Sequence, residues 1–340
     1  VSNKELRRGL GQHYTSVPNI MKVITPLFLD ELNEAFDKAY NSVFQLSSLW
    51  FRISEIKIFD PACGSGNFLI IAYKRLRMLE IEIIKRIRDL EGGISFNLSQ
   101  IKLSNFFGIE IDDFPCEIAR LSLYLAQHQM NQRVKDEFGI TQPTLPLQES
   151  GHIVCGNATR LDWDSVCPRI KTPNSLQEVC DKAVVESSEL KLKIEDKYNE
   201  IYVLGNPPYL GAKLQKDSHK ADLIHLLPDN KNLDYISCWF YKGAEYLNLS
   251  TSVKLAFVST NSISQGEQVA ILWKQLKKFE NVEIGFAYRS FKWTNNAKYN
   301  AGVTCVIIGL RAKSVSPKLI YDGPQKIIAK NINAYLLDAN

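Results

Sequence analysis

Short apolar segments alternate with amphipathic helical segments through most of this 340-residue chain. The apolar segments have the length and composition of buried strands, and the segments between them repeat their apolar residues at helical spacing. Strands that alternate with helices in this way build a parallel sheet with helices on both faces. The sequence therefore predicts an α/β fold with a doubly wound, mostly parallel sheet, and we expect its strands at 56–60, 105–112, 152–158, 201–206, 254–260 and 303–310.

Polar side chains stand at the ends of five of these predicted strands. In a doubly wound sheet the carboxyl ends of the parallel strands lie at one edge, and ligands bind at that edge. The sequence therefore predicts a functional site there, formed by Asp60, Glu110, Asn157, Asn206 and Ser259.

The fourth predicted strand stops abruptly at Asn206-Pro207-Pro208-Tyr209. Neither proline has an N–H group for the sheet ladder, so the strand has to end near Asn206. The fixed φ angle of each proline also stiffens the residues that follow. The segment 206–209 is therefore a rigid corner that carries an amide side chain, backbone carbonyls and an aromatic ring.

A glycine-containing turn, PACGSGN at 61–67, joins the first strand to the first long helix. It does not match the dinucleotide pattern G-x-G-x-x-G, because Leu69 occupies the third glycine position, and it lacks the Lys-Ser/Thr of a P-loop. Asp60 beside it would repel a pyrophosphate but suits a cationic group such as a sulfonium or an amine. The two oxygens of Glu110 match two adjacent ribose hydroxyls.

Composition narrows the class of protein further. Hydrophobic residues make up 45% and charged residues 23% of the chain, which is ordinary for a globular protein, and the net charge of +4 is too small to identify a nucleic-acid binder. No apolar run approaches the ~20 residues of a membrane helix. The seven cysteines form no CxxC pair, which argues against a disulfide framework and a zinc site. We therefore expect no metal, no membrane association and a reducing cytoplasm.

Six motifs follow one another along the chain: GQHYTS (11–16), DPACGSGNF (60–68), GIEID (108–112), CGNATRLDW (155–163), GNPPY (205–209) and FKWTNNAKYNAGVTCVII (291–308). Taken together and in this order, they resemble the γ class of DNA adenine-N6 methyltransferases. The residues around them are most similar to those of the MmeI-like (type IIL) enzymes, which fuse restriction and modification in one polypeptide.

This resemblance implies a class I methyltransferase fold and S-adenosyl-L-methionine as the cofactor. Tyr14 and Thr15 would hold its methionine end. Asp60, Ala62 and Gly64 would form the cofactor turn, Glu110 would bind the ribose hydroxyls, and Ile111 would be a further cofactor-binding residue. Asn157 stands at the third-strand position that usually holds an Asp, and its carbonyl would accept an N–H from the cofactor's adenine; Asp162 is the less favoured candidate.

The resemblance also explains the rigid corner. The Asn206 side-chain oxygen and the Pro207 carbonyl would accept the two hydrogens of an adenine N6, and Tyr209 would stack on the base. The base has to leave double-stranded DNA to reach such a pocket. An aromatic residue before the last strand would cover its second face, and we favour Trp293 over Phe291. The transfer would need no metal and no covalent enzyme intermediate.

Three regions are expected along the chain: an N-terminal helical segment with the GQHYTS motif (1–50), a catalytic domain (51–312) with a helical insertion at about 165–200, and a truncated start of a target-recognition region (313–340). Because the chain begins at Val1, we expect it to be part of a longer protein with nuclease and target-recognition domains. The resemblance implies a bacterial enzyme of the cytoplasm, associated with the nucleoid.

Two alternatives remain open at this point. Methyltransferases that act on a protein glutamine or on RNA also use an NPPY corner for a planar amide or amine. A non-catalytic DNA-binding subunit that retains the fold is the second alternative, although the intact Asn206, Tyr209 and Glu110 speak against a decayed site.

Overall fold

The computed structural model describes residues 15–92, 99–139, 141, 151–169, 200–228, 230, 232–292 and 304–339. In this part of the chain one nine-stranded sheet has the order β3-β2-β1-β4-β5-β7-β6-β8-β9. Its strands are Lys57–Asp60 (β1), Phe106–Glu110 (β2), His152–Cys155 (β3), Ile201–Gly205 (β4), Val253–Thr260 (β5), Val282–Lys292 (β6), Thr304–Ala312 (β7), Lys318–Asp322 (β8) and Gln325–Ala329 (β9).

Helices cover both faces of this sheet. They are Val17–Ile24 (α1), Asp30–Ala39 (α2), Val43–Glu55 (α3), Asn67–Glu91 (α4), Asp113–Phe138 (α5), Trp163–Val166 (α6), Asp217–Leu226 (α7), Ser237–Asn248 (α8) and Glu267–Leu276 (α9). None of the helices in the described part of the chain is long and apolar enough to cross a bilayer.

The predicted doubly wound, mostly parallel sheet is confirmed. β1 pairs in parallel with both β2 and β4, β2 pairs in parallel with β3, and β4 pairs in parallel with β5. The chain therefore builds outward from β1 in one direction and then returns to build outward from β4 in the other. The loops that leave β1 and β4 diverge at this switch point, which is where such sheets bind ligands.

Alternate residues of each strand enter two separate cores. Ile58, Tyr202 and Leu204 pack in the cluster formed with helices α1–α5. Phe59 and Val203 pack in the cluster formed with α6–α9. Because both faces are buried, the central strands are nearly continuous apolar runs, as their sequences indicate.

The N-terminal helices belong to the first of these cores, so the described part of the segment expected at 1–50 packs against the same sheet as the helices that follow it. Ile20, Leu32 and Leu46 are completely or almost completely buried there. Pro26 does not break this region. A π-helical turn at Thr25–Leu29 accommodates the missing N–H group, and the chain continues directly into α2.

Strands β6, β8 and β9 differ from the expected organisation. Side chains along β6 do not alternate regularly between the two faces of the sheet, because the register shifts between Ile284 and Phe286 and between Tyr288 and Phe291. These shifts obscure the strand period in the sequence. β8 pairs in parallel with β6, so the boundary expected at 312 is not a break in the sheet. The insertion expected at about 165–200 lies largely outside the described residues.

The attachment of β8 to the sheet can be tested by truncating a buried side chain. Ile320 of β8 is 2% exposed, whereas Ile328 of β9 is 72% exposed. We expect Ile320→Ala to lower the free energy of unfolding by about 2–4 kcal/mol, because it leaves a cavity in a packed site. Denaturant unfolding followed by tryptophan fluorescence measures this change. Ile328→Ala is the matched control and should change stability little; equal effects of the two substitutions would contradict the arrangement.

Candidate active site

The turn after β1 folds over the carboxyl ends of β1 and β2. The Ala62 N–H donates to Asp60 Oδ1 (3.0 Å), and the Cys63 N–H donates to the Ile109 carbonyl (3.0 Å). Gly64 and Gly66 have φ angles of +53° and +84°, which favour glycine. A Cβ atom at Gly64 would meet no described atom within 4 Å, so the backbone of the turn is open to close approach at this point.

Glu110 is half-buried beside this turn. Its Oε2 accepts the Gly64 N–H (3.0 Å), and its Oε1 accepts the Asp112 N–H (3.2 Å). Burial raises the pKa of Glu110, and the backbone donors oppose that rise. Each carboxylate oxygen has further acceptor capacity for a ligand hydroxyl. Ile111, the next residue, is 60% exposed at the same edge.

Asp60 joins the turn to the rigid corner. It is 1% exposed, and burial raises its pKa to about 8; the charge of Glu110 adds to this rise. A Cβ atom at Gly205 would lie 2.5 Å from Asp60 Oδ1, so β4 can pass this carboxyl only with a glycine at that position. The residue after Gly205 is Asn206. The cofactor turn and the corner predicted from the sequence therefore lie side by side.

The corner presents a buried acceptor. Asn206 Oδ1 is inaccessible to solvent and has no hydrogen-bond partner within the described ranges of the chain. Pro207 is buried and Tyr209 is half-buried. Burial and the Cys305 thiol raise the pKa of Tyr209, while a hydrogen bond with the Asn206 side chain lowers it. An unpartnered buried oxygen costs free energy unless a ligand satisfies it.

Phe291 lies near the end of β6, where it pairs across the ladder with Cys305. Its ring is half-buried, and Lys22 Nζ lies 4.2 Å from the ring centroid. Cys305 is also the thiol beside Tyr209, so the structure brings Phe291 to the side of the site that holds the corner. Trp293, the favoured stacking residue, lies outside the described residues. The choice between the two aromatic residues stays a prediction.

Asn157 follows β3, but its side chain is already engaged. Its Oδ1 accepts both the Thr159 N–H (2.9 Å) and the Thr159 hydroxyl (2.7 Å). Its Nδ2 donates to Asp222 Oδ2 (2.9 Å). An additional N–H from a cofactor's adenine would have to compete with Thr159. Asp162, the other candidate, caps α6 by accepting the Asp164 N–H (3.2 Å).

Asp222 on α7 is a residue of this region that the sequence does not reveal. It is buried and accepts hydrogen bonds from Asn157, from Arg160 Nε (2.6 Å) and from the Tyr235 hydroxyl (2.8 Å). No motif marks it, because its partners are 13 to 65 residues away in sequence.

The predicted methionine-binding pair is described only in part. Thr15 is buried two residues before the start of α1, which packs near α4, β5 and β7. Tyr14 lies outside the described residues. The roles of both residues stay predictions.

Comparison with known proteins identifies a family and several relatives. A sequence model of the family described as MmeI, DNA-methyltransferase domain, matches residues 36–322, which include Asp60, Glu110 and Asn206. DNA methyltransferase A of Bacillus subtilis (strain 168) is 49% identical over 99% of this chain, and the match covers 36% of that protein. The adenine-specific methyltransferase BrxX of Escherichia coli O9:H4 (strain HS) is 29% identical over 40% of this chain and 11% of its own length.

A solved structure extends the similarity to the whole fold. The type IIL restriction-modification enzyme MmeI in complex with DNA is 39% identical, with a TM-score of 0.85, over 100% of this chain and 43% of its own chain. This chain therefore spans less than half the length of these relatives. Its sheet is of the class I methyltransferase type, and the chain belongs to the family of MmeI DNA-methyltransferase domains.

Proposed function

We propose that this chain transfers a methyl group from S-adenosyl-L-methionine to the N6 atom of an adenine extruded from double-stranded DNA. The observation that carries the proposal is the buried Asn206 Oδ1, which has no hydrogen-bond partner among the described residues and follows Gly205, the residue packed against Asp60. A buried acceptor of this kind is expected where a ligand N–H completes the site.

The described residues fit the cofactor. When bound, S-adenosyl-L-methionine supplies a methyl group whose bond to the positively charged sulfonium would break as the bond to N6 forms, so that the donor would leave as the neutral thioether S-adenosyl-L-homocysteine and N6 would lose one proton to solvent. Glu110 would accept hydrogen bonds from its ribose hydroxyls, and Gly64 would allow close approach of the backbone. Asp60 would provide negative charge near a cationic group once binding has released its proton. Ala62 and Ile111 would line the same end of the site, where Ile111 is exposed.

The corner would prepare the amine for attack. The lone pair of an exocyclic N6 is delocalised into the purine ring, which makes the amine a weak nucleophile. Asn206 Oδ1 and the Pro207 carbonyl would accept hydrogen bonds from its two N–H groups. These bonds would direct the lone pair of the nitrogen away from the corner. Tyr209, with Phe291 or Trp293, would hold the base in place by stacking. Proximity and orientation would supply the remaining catalytic effect, without a covalent enzyme intermediate.

DNA is the favoured substrate class over protein glutamine or RNA. The two relatives with the highest identities described above carry names or titles that refer to DNA. Adenine is favoured because BrxX is named as adenine-specific and because Asn206, where cytosine-N4 enzymes usually carry a serine, matches the adenine enzymes. We further propose a modification role in a restriction-modification system, with nuclease and target-recognition domains in the same polypeptide.

The reaction is tested by offering labelled S-adenosyl-L-methionine to the complete protein encoded by its gene. Unmethylated double-stranded DNA, RNA and protein serve as separate acceptors. We expect label in DNA, and mass spectrometry of the released nucleosides should identify N6-methyladenine. Label found only in protein or RNA, or N4-methylcytosine as the product, would overturn the proposal. Cofactor binding without transfer to any acceptor would favour a non-catalytic subunit.

Substitutions at the two ends of the site should separate transfer from cofactor binding. We expect Asn206→Ala to lower kcat by about 10²–10³-fold, as for the loss of a preorganised polar group, with cofactor affinity nearly unchanged. Glu110→Ala should instead raise the Kd of the cofactor by about tenfold, or ~1.4 kcal/mol. Single-turnover kinetics and calorimetry measure the two effects.

A matched control is Asn248→Ala. The Asn248 side chain accepts the Asn281 N–H (3.3 Å) at the end of α8, on the opposite edge of the sheet. This variant should change neither quantity. Equal loss of transfer and cofactor affinity in Asn206→Ala would show that the corner is mainly structural.

Cofactor binding should be linked to proton release from Asp60. Its pKa of about 8 means that the carboxyl is mainly protonated at pH 7. A cationic ligand would lower this pKa, because it favours the charged carboxylate. We therefore expect proton release on binding at pH 7, measured by calorimetry in buffers with different ionisation enthalpies. Asp60→Asn should remove this release; an unchanged proton count in that variant would contradict the assignment.

A further inference from the structure

The backbone of Leu210 follows the rigid corner directly, and hydrogen bonds hold both its N–H and its carbonyl. Its N–H donates to Asp234 Oδ1 (2.7 Å). Its carbonyl accepts the Tyr235 N–H (3.1 Å) and Gln215 Nε2 (2.8 Å). Because the two prolines stiffen the four residues before it, a peptide fixed at Leu210 also limits the movement of Asn206.

Asp234 is the charged member of this arrangement. It is 4% exposed, and its Oδ1 also accepts the Ile236 N–H (3.4 Å) before α8. The hydroxyls of Thr260 and Ser262, at the end of β5, lie 3.5 Å from its Oδ2. The carboxylate therefore stands where the corner, α8 and the end of β5 meet. Buried charged acceptors of this kind make stronger hydrogen bonds than neutral ones.

The same segment reaches the cofactor turn. Trp239, five residues after Asp234, donates its indole N–H to the Pro61 carbonyl (3.0 Å). The ring of Tyr235 packs edge-on against that of Trp239, with centroids 5.3 Å apart. Residues 234–239 therefore contact both halves of the site, the loop after Asn206 and the turn after Asp60. Their position sets the spacing between the two halves.

We propose that Asp234 is a positioning residue for methyl transfer, which holds the Leu210 peptide so that Asn206 keeps its side-chain oxygen aimed at the acceptor amine. This inference rests on the proposed function. Neither the NPPY motif nor the cofactor turn includes Asp234, and it would act through the Leu210 peptide rather than by touching substrate. Its removal should therefore affect the transfer step and leave the cofactor in place.

Two substitutions in the complete protein separate an effect on the position of Asn206 from an effect on the stability of the fold. Asp234→Ala removes both acceptor oxygens, and we expect kcat to fall at least about tenfold, because small displacements of reacting groups have large effects on rate. The Kd of S-adenosyl-L-methionine should stay within about threefold. Asp234→Asn retains an oxygen that can accept the Leu210 N–H, and its kcat should stay within about threefold of the wild type.

Glu283→Ala is the control for the loss of a carboxylate elsewhere in the fold, and the Glu283 side chain is 14% exposed. Glu283 pairs with Arg311 (2.9 Å) and Lys318 (3.1 Å) at the start of β6, on the opposite edge of the sheet. This variant should lose stability without a change in kcat per folded molecule. An equal loss of kcat in Glu283→Ala and Asp234→Ala would overturn the proposal, as would an Asp234→Ala protein with normal kcat.

Hydrogen–deuterium exchange tests the same idea without a methyl acceptor. Residues 205–212 should exchange faster in Asp234→Ala than in the wild type, and Asp234→Asn should restore their protection. Unchanged protection in Asp234→Ala would refute the positioning role whatever the substrate is. If the wild-type protein methylates no DNA while the three proteins still differ in exchange as expected, the proposed function is refuted. The role of Asp234 in holding the corner would then remain supported.

Discussion

The parallel pairing of β1 with β4 is the constraint on which the site depends. It places the carboxyl end of β1 beside the carboxyl end of β4, at the point where the order of the strands reverses. Asp60 is buried at this junction and leaves no room for a side chain at position 205. The glycine therefore precedes Asn206 for a steric reason, and the rigid corner is held next to the turn that follows β1.

The two halves of the site differ in how polar groups are satisfied. The carboxylate of Glu110 accepts bonds from the turn it stabilises, so that half is preformed. In the corner, Asn206 Oδ1 is buried without a partner in the described part of the structure. A ligand amine would therefore recover free energy at the corner that the protein itself does not recover. This asymmetry fits a cofactor that binds to a prepared surface and a base that completes the site on arrival.

Much of this organisation could be predicted from the sequence because it is local. Strand ends, the glycine turn and the two prolines are all recognisable within a few residues, and they place Asp60, Glu110 and Asn206 correctly at one edge. Contacts between distant residues could not be predicted. Asp222 and Asp234 lie outside every motif, and their roles depend on partners from other elements.

Other differences have equally specific causes. Two register shifts hide the strand period of β6, and the attachment of β8 depends on that strand. The resemblance implies that Asn157 binds the cofactor's adenine, and in the structure Thr159 already donates twice to the Asn157 side-chain oxygen. The role of Asn157 stays a prediction. Whether a residue two positions away hydrogen-bonds to a side chain depends on side-chain geometry, and the spacing of residues in the sequence does not reveal it.

The most direct measurement is a structure of the complete protein bound to double-stranded DNA and an unreactive analogue of the methyl donor. The distance from Asn206 Oδ1 to its nearest ligand nitrogen decides the question. An extruded adenine whose N6 lies about 3 Å from this oxygen, with the donor's sulfur on the far side of the amine, is the predicted result. A donor bound away from Gly64 and Glu110, or an Asn206 Oδ1 that accepts a hydrogen bond from the protein while the base lies elsewhere, would contradict it.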